Sequence, residues 1–205
     1  MNEKGSERTQ EMLSKHVKEV NCFESVETLA GADVSYKGGT ASASCVLTDV
    51  EGSIIEEKTF AGKPHFPYKS TFFYLREFPL IYEVLKGTEF DLLFIHGHGR
   101  AHPRRFGLAC YTGLYFGKPT IGVAGKRLVG TYDEPFEKWT YLYHKDDIIG
   151  AVLKTHSKMN SIFVSVGHMI SLQSAVEFTF SAVKNHKFPE ALRLAHLASK
   201  RQLTI

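Results

Sequence analysis

The stretch VETLAGADVSYKGGTASASCVLTDVEGSIIEEKTF (residues 26–60) decides the fold. Its apolar and β-branched runs are separated by two short glycine-containing turns, a pattern typical of strands joined in hairpins. The predicted strands are 26–36, 40–49 and 53–60. Because each strand follows the previous one after a short turn, we expect an antiparallel meander of three neighbouring strands.

Helices and strands alternate after this meander. A helical period runs from the loop that ends at Tyr68 to about Lys86, and DLLFIH (91–96) and PTIGVA (119–124) are short, continuous apolar strands. The other predicted elements are a helix at 107–116, strands at 139–144 and 161–166, and helices at 171–183 and 189–200. This order predicts a mixed sheet covered by helices on its faces.

The start of the chain predicts an amphipathic helix within residues 1–20, because Met12, Leu13, Val17 and Val20 lie at helical spacing among charged residues. The chain has 205 residues, 43% of them hydrophobic and 23% charged, which is too apolar for a disordered protein. We expect one domain that covers residues 1–205 and includes this helix.

The cysteines and the apolar runs exclude several other classes. Three widely spaced Cys residues fit neither a disulfide framework nor a CxxC metal site. No apolar run near the start is long enough for a signal peptide or a membrane anchor. We expect an intracellular, cytoplasmic protein with reduced cysteines and no membrane partner.

The formal net charge of +3 hides an uneven distribution. Residues 92–132 contain six Lys and Arg and no Asp or Glu, and residues 151–205 contain seven Lys and Arg against two acids. A local basic field attracts polyanions, so nucleic acid is the predicted partner. Alternatively, these bases cap helices and neutralise the acidic first sixty residues.

Two carboxylates are candidates for the chemistry. Asp33 lies in the small-residue strand GADVSY, where a buried carboxylate needs a partner or a metal, although a turn-type hydrogen bond is the alternative. Glu77 shares the apolar face of its helix with Phe73 and Leu80, so it is predicted to point inward. The alternative is a rim position on a helix disturbed by Pro79.

Three loop segments are further candidates. His96 ends the DLLFIH strand and precedes Gly97-His98-Gly99, and ligands collect at the carboxyl ends of such strands. His102-Pro103-Arg104-Arg105 leads into a helix, where amide and guanidinium groups favour phosphate. Phe66-Pro67-Tyr68 could wedge into a base stack. The alternatives are a structural histidine at His96, a proline-containing loop at a helix start for residues 102–105, and local packing for residues 66–68.

Two histidines stand nearer the end of the chain. His168 lies at a predicted strand-to-helix switch, just before the possible N-cap Ser171, and His196 lies near the end of the last helix, as does Arg193. Core or capping roles are the alternatives for these residues.

Read in order, these segments resemble the endonuclease V family, nucleases directed at deoxyinosine. The matching segments are GADVSY (31–36), PYKSTFFYLRE (67–77), DLLFIHGHGRAHPRRFGLA (91–109), KPTIGVAGKRLVG (118–130), SVGHMIS (165–171) and FPEALRLAH (188–196). The resemblance implies an α/β, RNase H-like fold with a mixed five-stranded sheet, an antiparallel meander followed by parallel strands, flanked by helices.

The resemblance also implies an activity. Family members use Mg²⁺ or Mn²⁺ to hydrolyse the second phosphodiester 3′ to deoxyinosine in DNA repair, and some prefer inosine in RNA. Asp33 and Glu77 match two metal-binding carboxylates, and with His96 they form the predicted metal site. The predicted catalytic residues are Asp33, Glu77, His96, Lys126 and His196.

By the same resemblance, Pro67 and Tyr68 match a strand-separating wedge, and Gly97–Gly99 matches a segment that helps to hold the extruded hypoxanthine through backbone amides. His168 matches a family position near the site. The predicted nucleic-acid contacts are Pro67, Tyr68, Gly97, Gly99, His102, Arg104, Lys126 and His168. The expected partner is inosine-containing DNA or RNA, bound by a monomer.

Two positions depart from the family pattern. His96 stands where the family has a third metal-binding Asp, which weakens the preference for Mg²⁺ and makes Mn²⁺ or another borderline metal a better candidate. Gly125 stands before Lys126 where the family often has G-V-A-K-K. The positive charge expected to meet the scissile phosphate is therefore missing or is supplied by Lys126.

These departures leave three hypotheses. The first is an active metal-dependent endonuclease on inosine-containing strands. The second is a catalytically weak or inactive protein that retains the inosine pocket and the wedge. The third is another RNase H-like nuclease, or a helper protein, with a different substrate. His96 discriminates between the first two.

Overall fold

The computed structural model describes residues 3–134 and 137–204, which form one eight-stranded sheet in the order β3-β2-β1-β4-β5-β8-β7-β6. The strands are β1 (Thr28–Lys37), β2 (Thr40–Asp49), β3 (Ile54–Gly62), β4 (Leu92–His96), β5 (Thr120–Ala124), β6 (Trp139–His144), β7 (Asp147–Leu153) and β8 (Ile162–His168). The helices are α1 (Glu3–Ser14), α2 (Phe73–Leu85), α3 (Leu108–Phe116), α4 (Leu172–Ala182) and α5 (Glu190–Gln202).

The predicted mixed sheet is confirmed and is larger than expected. The strands β1, β2 and β3 form the antiparallel meander, and β4 and β5 add parallel strands beside β1. The prediction of five strands accounts only for β1 to β5. The strands β8, β7 and β6 extend the sheet with antiparallel pairs. The sequence did not indicate β7, since the turn before it uses Lys145 rather than glycine at a positive φ of 58°.

Successive side chains of β4 point to opposite faces of the sheet, and each face is covered by its own hydrophobic core. Leu93 and Ile95 pack with α2 on one face, whereas Leu92 and Phe94 pack with α4 and α5 on the other. All four side chains are fully buried, so β4 is a central strand covered on both sides.

Helix α5 lies directly on β1 because Gly31 has no side chain. A Cβ atom at Gly31 would lie 2.3 Å from the backbone of Ala191, which is closer than any packing allows. Side chains two residues apart on a strand share a face, so Asp33 and Ser35 also point towards α5. This approach brings the last helix of the chain against the first strand.

The predicted N-terminal helix is shorter than expected and packs through a different face. It ends at Ser14 rather than at residue 20, and residues 1 and 2 lie outside the described residues. Met12 is 57% exposed and Val20 60% exposed, while Ser6 and Gln10 are buried. The buried residues of α1 are therefore polar, whereas of the predicted apolar residues Leu13 is half-buried and Val17, beyond the helix, packs against the core.

Hydrogen bonds explain this polar face. The Gln10 amide Nε2 donates to the carbonyl oxygens of Phe106 and Thr71, at 2.8 Å and 3.1 Å, and its Oε1 accepts from Arg104 Nε at 2.7 Å. Buried polar groups are tolerated when they are paired in this way. Among the described residues, no helix is long and apolar enough to cross a membrane.

Candidate active site

A cleft of about 670 Å³ opens at the carboxyl ends of β4 and β5. Asp33, Glu77, His96 and Lys126 line it together, although they come from four separate segments of the sequence. The carboxyl ends of neighbouring parallel strands meet at one edge of a sheet, and this edge is where ligands collect in such folds. The structure thus brings four predicted site residues into one cavity.

Asp33 stands at the centre of a compact cluster on one side of the cleft. Its Oδ1 lies 2.5 Å from Nδ1 of His96, and its Oδ2 lies 2.8 Å from Nδ1 of His196. Ser199 Oγ, one turn of α5 after His196, donates to the same Oδ2 at 3.2 Å. Both carboxylate oxygens are therefore held by side chains from β4 and α5.

The electrostatics of the cluster keep Asp33 ionised. Burial alone would raise the pKa of Asp33, but hydrogen bonds from His196 and His96, together with their charges, hold it well below its usual range. Burial lowers the pKa of His96, yet the hydrogen bond and the charge of Asp33 outweigh this effect and the pKa is raised. The cluster is a buried anion whose charge is balanced by imidazole rings.

These three residues fit a divalent metal ion. Among the described residues, the ligand atoms of Asp33, His96 and His196 form a group in which all lie within 4.8 Å of one another. One carboxylate oxygen and two imidazole nitrogens suit Mn²⁺, Fe²⁺ or Zn²⁺ better than they suit Mg²⁺. A cation between them would take the place of the ring protons that now face Asp33.

Glu77 faces the same cleft but lies outside this three-residue group. It is buried on α2, as its place on the apolar face predicted, and its Oε1 accepts a hydrogen bond from the Tyr36 hydroxyl at 3.0 Å. Burial raises the pKa of Glu77 to about 7, with the charge of Asp33 acting in the same direction. Its role as a metal ligand stays a prediction.

The turn after β4 does not offer the predicted backbone amides. The amide of Gly97 donates to the carbonyl of Val123 at 3.0 Å, and that of Gly99 donates to Ser165 Oγ at 2.9 Å. Gly99 is also buried away from the cleft. Both amide donors are already used within the fold, whereas Gly97 still lines the cleft, so its contact with a base stays a prediction.

Both side chains predicted to contact phosphate, those of His102 and Arg104, are engaged in internal contacts. The His102 ring is buried, with Nε2 3.1 Å from the carbonyl of Thr71 and Nδ1 accepting from the Arg104 amide. The Arg104 guanidinium binds Gln10, Glu7 and Thr71, and so fastens α1 to the loop before α2.

His168 lies at the opposite end of the strands from the cleft. It pairs with Thr120 at the start of β5, whereas His96 pairs with Val123 near the end of that strand. Thr120 and Val123 are three residues apart on β5, so these two positions are separated by roughly 10 Å along the strand. The His168 ring is buried, and its Nδ1 accepts from the amide of Lys18, so its predicted nucleic-acid contact is corrected to a structural role.

Other predicted contacts border the cleft. Lys126 lines it, and among the described residues neither Lys126 nor Arg127 takes part in an ion pair. Tyr68 is 70% exposed at the rim, with its ring edge-to-face against Phe73 at 5.3 Å between centroids, and Pro67 beside it is exposed. Their contacts with nucleic acid stay predictions.

Sequence reasoning missed three features of the cleft. His196 was predicted to be catalytic but not to be a metal ligand, and its position depends on the contact of α5 with β1. His98 also lines the cleft, and its buried Nδ1 has no hydrogen-bond partner. Lys187 and Phe188, on the loop before α5, form one wall. Phe188 begins the matching segment FPEALRLAH (188–196), but no local pattern in the sequence marks Lys187.

Comparisons with known proteins agree with this architecture. The Endonuclease V family profile matches residues 11–197. Endonuclease V of Methanopyrus kandleri is 41% identical over 183 residues, which cover 87% of this chain and 80% of that protein.

Solved structures are similar over nearly the whole chain. The crystal structure of endonuclease V from Streptomyces avermitilis has a TM-score of 0.91 at 30% identity, and the match covers 99% of this chain and 93% of that one. Ciona intestinalis endonuclease V, in complex with a 24mer DNA containing an inosine followed by a ribo-adenosine, has a TM-score of 0.87 at 25% identity and 99% coverage of both chains. The RNase H-like fold is confirmed, and the chain belongs to the endonuclease V family.

Proposed function

We propose that this protein is a divalent-metal-dependent endonuclease of DNA repair that cleaves the second phosphodiester 3′ to deoxyinosine, or to inosine. Members of its family are nucleases, and the Ciona relative binds inosine-containing DNA. The observation that carries the proposal is the cluster of Asp33, His96 and His196 beside an open cleft that Lys126, Arg127 and Lys187 line.

In this proposal Asp33, His96 and His196 hold the metal ion. A divalent ion bound there would polarise a phosphoryl oxygen, lower the pKa of a nearby water molecule and stabilise the leaving oxygen. The two imidazole ligands favour Mn²⁺ over Mg²⁺. Ser199 keeps the Asp33 carboxylate oriented by its hydrogen bond to Oδ2.

Glu77 is the proposed proton acceptor. A carboxylate with a pKa near 7 is ionised in part of the molecules at neutral pH and can take up the proton that an attacking water loses. Its Oε1 is held by Tyr36, so the side chain keeps one orientation in the cleft. Burial both fixes the carboxylate and raises its basicity.

The rim of the cleft supports the proposed selection of inosine. A deaminated base pairs weakly, so its extrusion from the stack costs less than that of a normal base. Tyr68 is exposed beside the cleft and offers an aromatic face to the gap that the base leaves. Lys126 is placed to contact a backbone phosphate.

Cleavage of labelled oligonucleotides tests this function. The substrates are a deoxyinosine DNA strand and an inosine RNA strand, each incubated with Mg²⁺ or Mn²⁺, and matched adenine strands are the controls. We expect cleavage at the second phosphodiester 3′ to the lesion, faster with Mn²⁺, and loss of cleavage in Asp33→Asn. Absence of product under all four conditions would falsify the enzymatic function.

A second candidate is an inosine-binding protein without appreciable activity. His96 is the observation that favours it, since a neutral ligand replaces the anionic one of the family. Selective binding of inosine strands without cleavage, followed by cleavage in His96→Asp, would establish this candidate and exclude an active parent enzyme.

A further inference from the structure

Lys187 is a cation in the cleft whose charge the fold leaves unpaired. It lies on the loop between α4 and α5 and lines the same cleft as Asp33 and His96. Among the described residues it has no ion-pair partner, although Arg193 on the adjoining helix is paired with Glu190. A half-buried, unpaired ammonium group beside an open cleft suits an anionic ligand.

The ammonium group of Lys187 lies above Gly125. A Cβ atom at Gly125 would lie 4.0 Å from Lys187 Nζ and 3.4 Å from Phe188 Cζ. The glycine therefore leaves a space beside the strand end, and the loop before α5 fills it with a positive charge. A positive charge thus lies beside Gly125, although Lys187 is 62 positions away in the sequence.

The backbone of Lys187 is fixed in this position. Its carbonyl oxygen accepts a hydrogen bond from Thr155 Oγ1 at 2.7 Å, and a β-bridge between Val183 and Pro189 closes the loop. Its Nζ lies 5.2 Å from the centroid of the Phe188 ring, which is within range of a cation–π interaction. Little ordering is needed before the side chain can bind a ligand.

Lys187 is also close to the metal ligands. The Phe188 ring on which it rests makes an edge-to-face contact with the His96 ring, at 5.4 Å between centroids. Burial lowers the pKa of His96, and Asp33 raises it. The charge of Lys187 has a smaller effect and lowers this pKa. A group bound at Lys187 would thus lie beside the proposed metal ion.

We propose that Lys187, whose ammonium group lies in the space beside Gly125, binds a backbone phosphate of the nucleic-acid strand next to Asp33, His96 and His196. This inference rests on the proposed function, because it assumes that a nucleic-acid strand lies in the cleft. Lys126 and Lys187 then contact the strand from two walls of the cleft, one from the end of β5 and the other from the loop before α5.

The test measures binding of a fluorescent single-stranded deoxyinosine DNA at several salt concentrations without added metal. Lys187→Gln is compared with Lys184→Gln, which removes an exposed lysine of the same loop that does not line the cleft. Loss of one phosphate contact should weaken binding about fivefold at 0.1 M salt and reduce the salt-dependence slope by about 0.7. We expect no change in Lys184→Gln.

A double variant tests the position of the charge. Gly125→Lys combined with Lys187→Gln should restore the affinity and the slope of the parent protein, because the new side chain enters the same space. The thermal unfolding midpoint of each variant shows whether it is folded.

The outcomes separate this inference from the proposed function. If the parent protein binds and Lys187→Gln matches it in affinity and slope, the inference is overturned and the function stands. Weakened binding that Gly125→Lys does not restore would overturn the assignment of the phosphate to this space. If the parent protein neither binds nor cleaves inosine strands, the proposed function itself fails.

Discussion

Each carboxylate oxygen of Asp33 lies within hydrogen-bonding distance of an imidazole nitrogen, one from His96 and one from His196. The metal preference of the proposed site therefore depends on these two nitrogen ligands as well as on the carboxylate. Replacing His96 by Asp would add a second hard, anionic ligand beside Asp33. We expect His96→Asp to raise the ratio of Mg²⁺-supported to Mn²⁺-supported cleavage about tenfold, because Mg²⁺ prefers oxygen ligands.

This prediction has a readout that does not depend on cleavage. Binding of Mn²⁺ and Mg²⁺ is titrated by calorimetry in the parent protein and in His96→Asp, with His65→Asp as a surface control outside the cleft. The relative affinity for Mg²⁺ should increase only in His96→Asp. Equal metal preferences in all three proteins would show that His96 is not a ligand.

At the same scale, the sequence indicated the positions of Asp33 and His96, the strand residues of the three-residue cluster, better than that of His196 on α5. Asp33 and His96 lie on strands whose order follows from the meander and the apolar run after it. His196 is 163 residues from Asp33, and it reaches that carboxylate only because Gly31 lets α5 lie on β1. Such a contact depends on tertiary packing, which local patterns do not reveal.

Among the elements, α1 illustrates how hydrogen bonds can replace apolar packing. Gln10 is fully buried and binds two carbonyl oxygens and Arg104. We expect Gln10→Ala to lower the free energy of unfolding by about 2 kcal/mol, because buried partners lose their hydrogen bonds. The loss should be accompanied by faster amide exchange in α1.

Urea unfolding and hydrogen exchange measure these two effects, and Gln173→Ala is the matched control. Gln173 lies on α4, where its amide binds Glu177 at the surface. Its removal should change the free energy of unfolding by less than about 0.5 kcal/mol. If both glutamine variants behave alike, Gln10 does not hold α1 in place.

The elements that the sequence predicted well share a simple pattern. Continuous apolar runs indicated β1, β2, β4 and β5 because strands that are largely buried leave a strong signal, whereas the mostly exposed β3 was indicated by its glycine turn and β-branched residues. The helix α1 carried a misleading signal, since Met12 is exposed and its buried residues, Ser6 and Gln10, are polar. The strand β7 gave a weak signal, because its turn lacks glycine.

At the scale of the whole molecule, ion pairs reshape the charge distribution seen in the sequence. Four of the six bases in residues 92–132 are paired, namely Arg100 with Glu19, Arg104 with Glu7, Arg105 with Asp147 and Lys118 with Glu89. Lys126 and Arg127 remain unpaired among the described residues and line the cleft. Two of these four partners, Glu19 and Glu7, belong to the acidic first sixty residues, as the alternative interpretation expected. The contact of Lys126 and Arg127 with nucleic acid stays a prediction.

The stability of the whole molecule should fall in mild acid because of His102. Burial, followed by the charge of Arg104, lowers the pKa of His102 to about 3, whereas an unfolded chain has a histidine pKa of about 6.5. Between these values the unfolded state binds the proton and the folded state does not. Stability is therefore full above pH 6.5 and decreases as the pH falls.

The size of this effect follows from the same two pKa values. Lowering the pH from 7.5 to 5 should cost about 2 kcal/mol through His102 alone, most of it below pH 6.5, where the slope approaches about 1.4 kcal/mol per pH unit. In His102→Gln this part of the pH dependence should disappear, because no proton is taken up, while the exposed His65→Gln should retain it. Urea unfolding at pH 7.5, 6.5, 5.5 and 5 measures the slopes. Parallel curves for the parent protein and His102→Gln would contradict a buried, neutral His102.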